Sequence, residues 1–597
     1  MFLFLTKIYW VIRNQGLIEL ARRSCRYLKK HHLKGLLFYY TGRNFNYNMW
    51  LNRETKKVKG LLTHRQEKLA ELSCHPVISI IMPVWNTDLM YLKQAIESVL
   101  KQIYPYWEIC IANDGSDKQD LKELLENMRK KDERIKVVHL PDHTGIVGVT
   151  NAALSLANGE FVGFLNHNDK LAIHALLQIA NLINKNPEVD VIYTDEDCLI
   201  ENNKRCNPLF KPDWSPDLLL SMNYIGHFLV VRRRLVRELE GLRPGTDGSQ
   251  DYDLVLRVTE KTKRIAHIPE ILYHRRIASS SVSKGTKKNT YEQDKEKEVI
   301  SAALLRRRLK GRVTQISEGR YRIIYQVQGN PLVSIIIPTK DKAILLEKCI
   351  NSIREKSSYK NYELVIVDNE SKDKATLEYF AQIIQIPICK VIPFNKRFNY
   401  AEINNFTVSQ AKGEYIVFLN NDIEVISSNW LEEMLGYAQQ SRVGTVGAKL
   451  LFPNKTVQHG GVILGLRKVV GHAFYGLPAS NPGYMGLATV TRNCSAVTAA
   501  CMMLRRSVFE EAGGFDEKLD VAYNDVDFCL RIIQKGHYIV WTPHAVLYHH
   551  ESATRGQYWP ERNIKYFCEK WKDILEHGDP FYNINLTLDR SDFMLKV

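Results

Sequence analysis

The sequence predicts an α/β protein built as two copies of one sheet domain, and three observations carry that expectation. Short β-branched apolar runs alternate with helix-like stretches, the runs end in clusters of amides and carboxylates, and the whole pattern recurs once, with Pro83 falling on Pro338.

The repeat is read block by block. VISIIMPVW, from Val77, aligns with LVSIIIPTK, from Leu332, and YWEICIANDGSD aligns with NYELVIVDNESKD, placing Asn113 on Asp368 and Asp114 on Asn369. GEFVGFLNHND then meets GEYIVFLNNDI, GSQDYDLVLRV meets AYNDVDFCLRI, and ILYHRR meets VLYHHE. Five blocks in one order mean a duplicated domain. Runs such as ISIIM, EICIA, SIIIP and LVIVD, separated by helical patterns such as YLKQAIESVLKQ and LLEKCINSIREK, imply parallel sheets covered on both faces. Ligands of such sheets bind beyond the carboxyl ends of the strands, where the polar clusters lie. The expected organisation is a basic amphipathic helical segment over 1–76, a first domain over 77–280, a structured connector over 281–330, a second domain over 331–560, and a closing helix and tail over 561–597.

Length and charge bound the rest. At 597 residues the chain exceeds one hydrophobic core, and its 45% hydrophobic and 25% charged residues are those of a soluble globular protein. The net charge of +16 is concentrated at the start, since residues 1–70 hold 15 Lys and Arg against 3 acids. The body is nearly balanced, which argues against nucleic-acid binding. The opening, MFLFLTKIYWVIRNQGLIELARRSCRYLKKHHLKGLLFYY, has no apolar run near the roughly 20 residues of a spanning helix and no secretion-signal pattern. It is expected either to lie on an anionic membrane surface or to pack on the body with its basic face in water. Eleven cysteines without CxxC or regular spacing predict a reduced, cytoplasmic setting.

In an extended strand alternate side chains share a face. Asn420, Asp422 and Glu424, after YIVFL, are therefore expected to project together and to offer a hard divalent cation an amide and two carboxylates. The plainer reading is a turn after a strand. In AYNDVDFCLRII the helical spacing of Val526, Cys529, Leu530 and Ile533 puts Asn524 and Asp525 at a helix start. An acid there can be only a cap, but an Asp pair recurs as Asp251 and Asp253 in SQDYDLVLR. His549, in LYHHES, follows a β-like run and has a counterpart in His274.

In this order of motifs the sequence resembles the family 2 glycosyltransferases of GT-A fold, and more closely the tandem-domain bacterial enzymes of O-antigen and capsular polysaccharide assembly. The resemblance covers about residues 40–597, through KPDWSPDLLLSMNYIGHFLVVRR, YRIIYQVQGNPLVSIIIPT, FNYAEINNFTVSQAKGEYIVFLNNDIEV, TAACMMLRRSVFEEAGGFDE and DPFYNINLTLD. It implies two Rossmann-like nucleotide-sugar-binding domains in tandem. A nucleotide-sugar donor would be held by Asp114 and Asp368 with Asn113, Asn369 and Asn420. Asp422 and His549, assisted by Glu424, would carry Mn²⁺ or Mg²⁺ against its diphosphate. Asp525, and Asp251 in the first copy, would be the base that takes the acceptor proton in a single inverting displacement.

The first copy departs from this pattern. It has Asn166 and Asn168 at the usual metal positions, and its acid is Asp169, which an extended strand would turn to the other face. Either the turn rotates Asp169 into a site with His274, or this copy has lost activity; Asp195, Glu196 and Asp197 in YTDED are further acids nearby. The resemblance implies extension of a lipid-linked or oligosaccharide acceptor by a protein peripheral on the inner face of the cytoplasmic membrane, held by its basic start. Two readings stand beside it: a processive two-domain synthase of hyaluronan or chondroitin type, and a non-catalytic glycan- or nucleotide-binding scaffold.

Overall fold

The computed structural model describes residues 33–277, 290–550 and 560–596. These fall in two compact units, one of residues 33–64 with 594–596 and the other of the described residues between 65 and 593. The described part of the first unit is chiefly one helix, Leu33–Thr63. Residues 1–32, most of the expected membrane-surface segment, lie outside the described residues. No helix among the described residues is long and apolar enough to cross a membrane.

The second unit holds both copies. In the first, β1 (Ile78–Val84), β2 (Trp107–Asp114), β3 (Ile135–Leu140), β4 (Phe161–Phe164), β5 (Lys170–Leu171), β6 (Val191–Leu199), β7 (Arg205–Leu209), β8 (Leu229–Arg232) and β9 (Ile265–Arg276) form one sheet. Its order is β3-β2-β1-β4-β8-β6-β9-β5, with β7 on β6. The connector contributes the helix Thr290–Arg306 and a hairpin of β10 (Gly311–Ser317) and β11 (Arg320–Tyr325). In the second copy come β12 (Val333–Thr339), β13 (Tyr362–Asp368), β14 (Cys389–Pro393), β15 (Tyr415–Leu419), β16 (Ile423–Val425), β17 (Val443–Leu451), β18 (Val457–His459), β19 (Val462–Leu464), β20 (Val470–His472), β21 (Arg492–Asn493), β22 (Cys501–Arg505) and β23 (Tyr538–His549). The main order, β14-β13-β12-β15-β22-β17-β23-β16, repeats that of the first sheet.

The sheets are mixed, where the apolar runs predicted parallel ones. Four strands of each copy are parallel (β3, β2, β1, β4 and β14, β13, β12, β15), and β8 and β22 then run antiparallel to both neighbours. Parallel neighbours need a long crossover, usually a helix. Leu89–Leu100, Gly145–Ser155 and their equivalents supply it for the first four strands, and β6 with β9 and β17 with β23 pair in parallel further along.

One buried knot shows how closely the copies correspond. Ser79 Oγ donates to Glu108 Oε1 at 2.6 Å and Ser334 Oγ to Glu363 Oε1 at 2.5 Å. The backbone N–H groups of Gly159 and Gly413 donate to those same serines. A Cβ at either glycine would lie 2.6 Å or less from backbone atoms, so the strand entry requires glycine.

The tail is more than a closing segment. Asp579 Oδ2 accepts from Leu464 N at 2.7 Å in the second copy, while Asn583 Nδ2 donates to Asp195 Oδ2 at 2.9 Å in the first.

Candidate active site

β15 ends at Leu419, and a turn over 420–422 precedes β16. The turn interrupts the alternation on which the shared face of Asn420, Asp422 and Glu424 depended, and that expectation is corrected. Asn420 and Asp422 face the end of β23: Asn420 Nδ2 is 3.3 Å and Asp422 Oδ1 3.2 Å from His549 Nε2. Glu424 instead pairs with Lys348 at 2.9 Å, Lys356 at 3.3 Å and His550 at 3.3 Å. Desolvation works to raise its carboxyl, but the hydrogen bonds from Lys348, His550 and Lys356 bring it down to about 2. Its charge is neutralised within the protein, so Glu424 is removed from the metal ligands.

His549 is oriented from behind. Its Nδ1 lies 2.9 Å from Gln458 Oε1, and with that proton donated to the amide oxygen the lone pair of Nε2 is turned toward Asp422. Asp422 Oδ1 is buried and has no hydrogen-bond partner. Asp422 Oδ1 and His549 Nε2 stand 3.2 Å apart, close enough to be shared by one cation. The donor set, one carboxylate and one imidazole beside an amide, fits Mn²⁺ or Mg²⁺ that keeps further contacts with phosphate oxygens. Among the described residues no group of three or more His, Cys, Asp and Glu forms a complete metal cage.

Asp525 stands one short segment away. Asn420 N donates to Ala500 O at 3.1 Å, and Ala499 N donates to Asp525 Oδ2 at 3.1 Å. The helix Asn524–Gln534 begins after Tyr523, whose φ is 64°. Its second acid, Asp527, is fully buried and held by Arg531, Lys570 and Trp571. The first copy repeats this division, with Asp253 buried against Arg243 and Arg257 while Asp251 is exposed. In each pair the second acid is buried in ion pairs and the first is less buried, Asp525 also accepting from Val526 N at 2.9 Å.

The nucleotide-side residues also divide. Asn369 is buried and donates to Phe394 O and Lys396 O. Asn113 is buried with Nδ2 3.1 Å from His139 Nδ1. Asp114, 1% exposed, accepts from Thr144 N, Thr144 Oγ1 and Gly145 N and lies 2.7 Å from His143 Nδ1. All three hold neighbouring loops, while Asn113 Oδ1 and Asn369 Oδ1 are left buried without a hydrogen-bond partner. Asp368 is half-buried and takes Ser371 N at 2.9 Å.

In the first copy the turn is one residue longer. β5 opens with Lys170 opposite His274 as β16 opens with Ile423 opposite His549, so Asp169 occupies the place of Asp422 just before the strand. Its carboxylate is nevertheless filled. Oδ2 accepts from Tyr273 Oη at 2.6 Å and Asn166 Nδ2 at 3.1 Å, and Oδ1 from Arg276 N at 2.7 Å. His274 Nδ1 lies 2.6 Å from Asp197 Oδ1. Asp169 is therefore corrected as a metal ligand, and His274 has no open carboxylate to share a cation with. The residues of this copy do not fit a divalent metal.

Several participants escaped the sequence reading. Gln458 and His459 stand in QHGG, whose paired glycines were the available signal. His459 is fully buried, and burial, then the neighbouring His472, Arg492 and His549, push its imidazole well below the usual range.

The model of the glycosyl transferase family 2 matches residues 79–240 and 334–513, one segment in each sheet. The chain belongs to glycosyl transferase family 2, as two domains of GT-A arrangement in tandem. It is 40% identical over 541 residues to the O-antigen biosynthesis protein RfbC of Myxococcus xanthus, covering 90% of this chain and 42% of that one. It is 38% identical over 555 residues to the uncharacterized protein y4gI of Sinorhizobium fredii, covering 90% and 61%. It is 24% identical over 379 residues to the chondroitin synthase of Pasteurella multocida, covering 60% and 36%. The chain thus spans less than two thirds of the length of each of these relatives.

Proposed function

We propose that the chain moves a sugar from a nucleotide-sugar donor to a hydroxyl of a growing cell-surface polysaccharide, with the second copy as a metal-assisted, inverting site. The observation that carries this reading is the unpartnered Asp422 Oδ1 facing His549 Nε2, with Asp525 a short segment away. Asp422 and His549, beside Asn420, would hold Mn²⁺ or Mg²⁺, which when bound supplies positive charge to the departing nucleoside diphosphate. Asp368, at the carboxyl end of β13, meets the nucleoside. Asp525 accepts the proton of the acceptor hydroxyl as that oxygen attacks the anomeric carbon, and one in-line displacement inverts the centre. The O-antigen relative supports polysaccharide assembly as the setting. The +12 carried by residues 1–70 supports an acceptor held at an anionic membrane surface on its cytoplasmic side.

The test is a panel of nucleotide sugars offered to the purified chain, read as donor hydrolysis and as transfer to lipid-linked and free oligosaccharide acceptors, with Mn²⁺ and with EDTA. One donor should be turned over with Mn²⁺, and product length should show one or two additions. Turnover of no donor under any condition would leave the scaffold reading in its place.

A further inference from the structure

Eleven cysteines are scattered through the chain, and among the described residues one pair stands directly opposite across a sheet. β6 and β7 run antiparallel with Cys198 opposite Cys206 and Leu199 opposite Arg205. The same register continues into the turn, where Ile200 N donates to Lys204 O at 3.0 Å. Directly opposite residues put their side chains on one face of the sheet. Their Cα atoms lie roughly 5.5 Å apart in a hydrogen-bonded pair and roughly 4.5 Å in the other kind. A disulfide accepts about 4.4–6.8 Å, so the strand spacing already suits a bond.

The neighbouring contacts agree with this orientation. Asp197 meets Arg205 at 2.5 Å and His274 Nδ1 at 2.6 Å. Alternation puts those side chains on one face and the cysteines on the other. There Cys198 Sγ lies 3.9 Å from Arg275, its opposite residue on β9.

Other thiols are neighbours as well, Cys349 of Cys501 and Cys494 of Cys529. All four are fully buried, out of reach of an oxidant. Cys206 is half-buried, and its partner Cys198 is 5% exposed. This pair therefore combines an accessible thiol with a shielded one beside it.

We propose that Cys198 and Cys206 are a site of reversible disulfide formation in the first copy, with a small-molecule disulfide such as oxidised glutathione as the oxidant. The Cys206 thiolate attacks one sulfur of the oxidant and releases one thiol, leaving a mixed disulfide. The Cys198 thiolate then attacks the Cys206 sulfur and expels the second thiol. Two protein thiols are oxidised, one small disulfide is reduced, and the two protons pass to the departing thiolates. Burial pushes the Cys206 thiol up to about 11 and raises Cys198 too, against the charge of Arg275. The first step is accordingly slow at neutral pH. The second is intramolecular and outruns attack by a further molecule of oxidant. The bond fastens β7, which leads to Phe210 and its hydrogen bond to Tyr484 of the second copy at 2.7 Å, to the strand that carries Asp195, Glu196 and Asp197.

The experiment incubates the folded full chain with oxidised glutathione at about pH 8.5, the ordinary thiol pKa, then alkylates free thiols and digests without reduction for mass spectrometry. Lys204 and Arg205 lie between the two cysteines, so trypsin leaves them in separate peptides unless they are linked. The linked peptides should appear in most chains and vanish with dithiothreitol. Cys206→Ser should abolish the link, whereas Cys198→Ser should leave Cys206 carrying one glutathione. If Cys206 of the parent keeps glutathione beside an alkylated Cys198, or if both are recovered alkylated, the proposal is overturned.

Discussion

Arg442 reaches from the second copy and grips both carboxylate oxygens of Asp217 in the first, at 2.7 Å each. Asp217 is 1% exposed, and Asn493 of the second copy donates to it at 2.8 Å. The same Asn493 accepts, through Oδ1, from Ser215 Oγ and Asp217 N at the start of the helix Pro216–Ser221. Burial would raise the Asp217 carboxyl, and the Arg442 charge and hydrogen bonds outweigh it and hold it low.

Arg442→Ala leaves that carboxylate buried with its cation gone, a change that costs about 3–5 kcal/mol. Urea unfolding should shift to lower concentration by a corresponding amount. A midpoint within 0.5 kcal/mol of the parent, taking that as a rough limit for a neutral surface substitution, would mean the copies are held by other contacts.

Asp422→Asn should weaken Mn²⁺-dependent donor binding, whereas Asp525→Asn should leave donor affinity near normal and abolish transfer by the second copy. One side chain faces the cation and phosphates, the other only the acceptor proton. Equal loss of donor affinity in both variants, measured by titration with the donor, would refute the assignment.

In a chain carrying Asp525→Asn, any surviving transfer belongs to the first copy and should vanish on adding Asp251→Asn. Chromatography of products from a defined primer distinguishes the two additions. If Asp251→Asn alone alters neither rate nor product, the first copy binds without catalysing.

Burial, aided by the charges of Arg322 and Lys449, brings His544 down to about 3, and His459 is also pushed well below its usual range. Both folded-state values lie below the unfolded ones, so the folded protein keeps these rings neutral while the unfolded chain takes up protons below about pH 6.5. Their contribution is complete above that pH and is lost as pH falls through it, by up to about 1.4 kcal/mol per pH unit for each ring. Stability measured from pH 7 to pH 5 should fall less steeply in His544→Gln than in the parent; parallel profiles would exclude the ring as a cause.

Removing residues 1–40 should shift the protein from membrane to soluble fractions, and high salt should do so in part, because attraction to lipid charge is screened beyond about 10 Å at 0.1 M. Fractionation that is unchanged by truncation would place the anchor elsewhere.

Much of this protein is a local property of its chain. Pro83 on Pro338, the apolar runs of β1, β2, β12 and β13, and the helical spacing after Asp525 sufficed to predict two α/β copies with polar clusters at the strand ends. Strand burial and helix periodicity are written in neighbouring residues. Which carboxylates remain available was decided only by tertiary structure. Asp169 and Asp422 both stand just before a strand, yet Tyr273, 104 residues away, fills the first, while the second keeps an unpartnered oxygen. Glu424 was lost to lysines on the helix Ala343–Lys356, and Asp527 to Arg531 and Lys570. Arg442 and Asp217 meet across 225 residues. A carboxylate's chemistry depends on the donors and charges within a few ångströms of it, and in this fold many of those come from distant segments that no local pattern brings together.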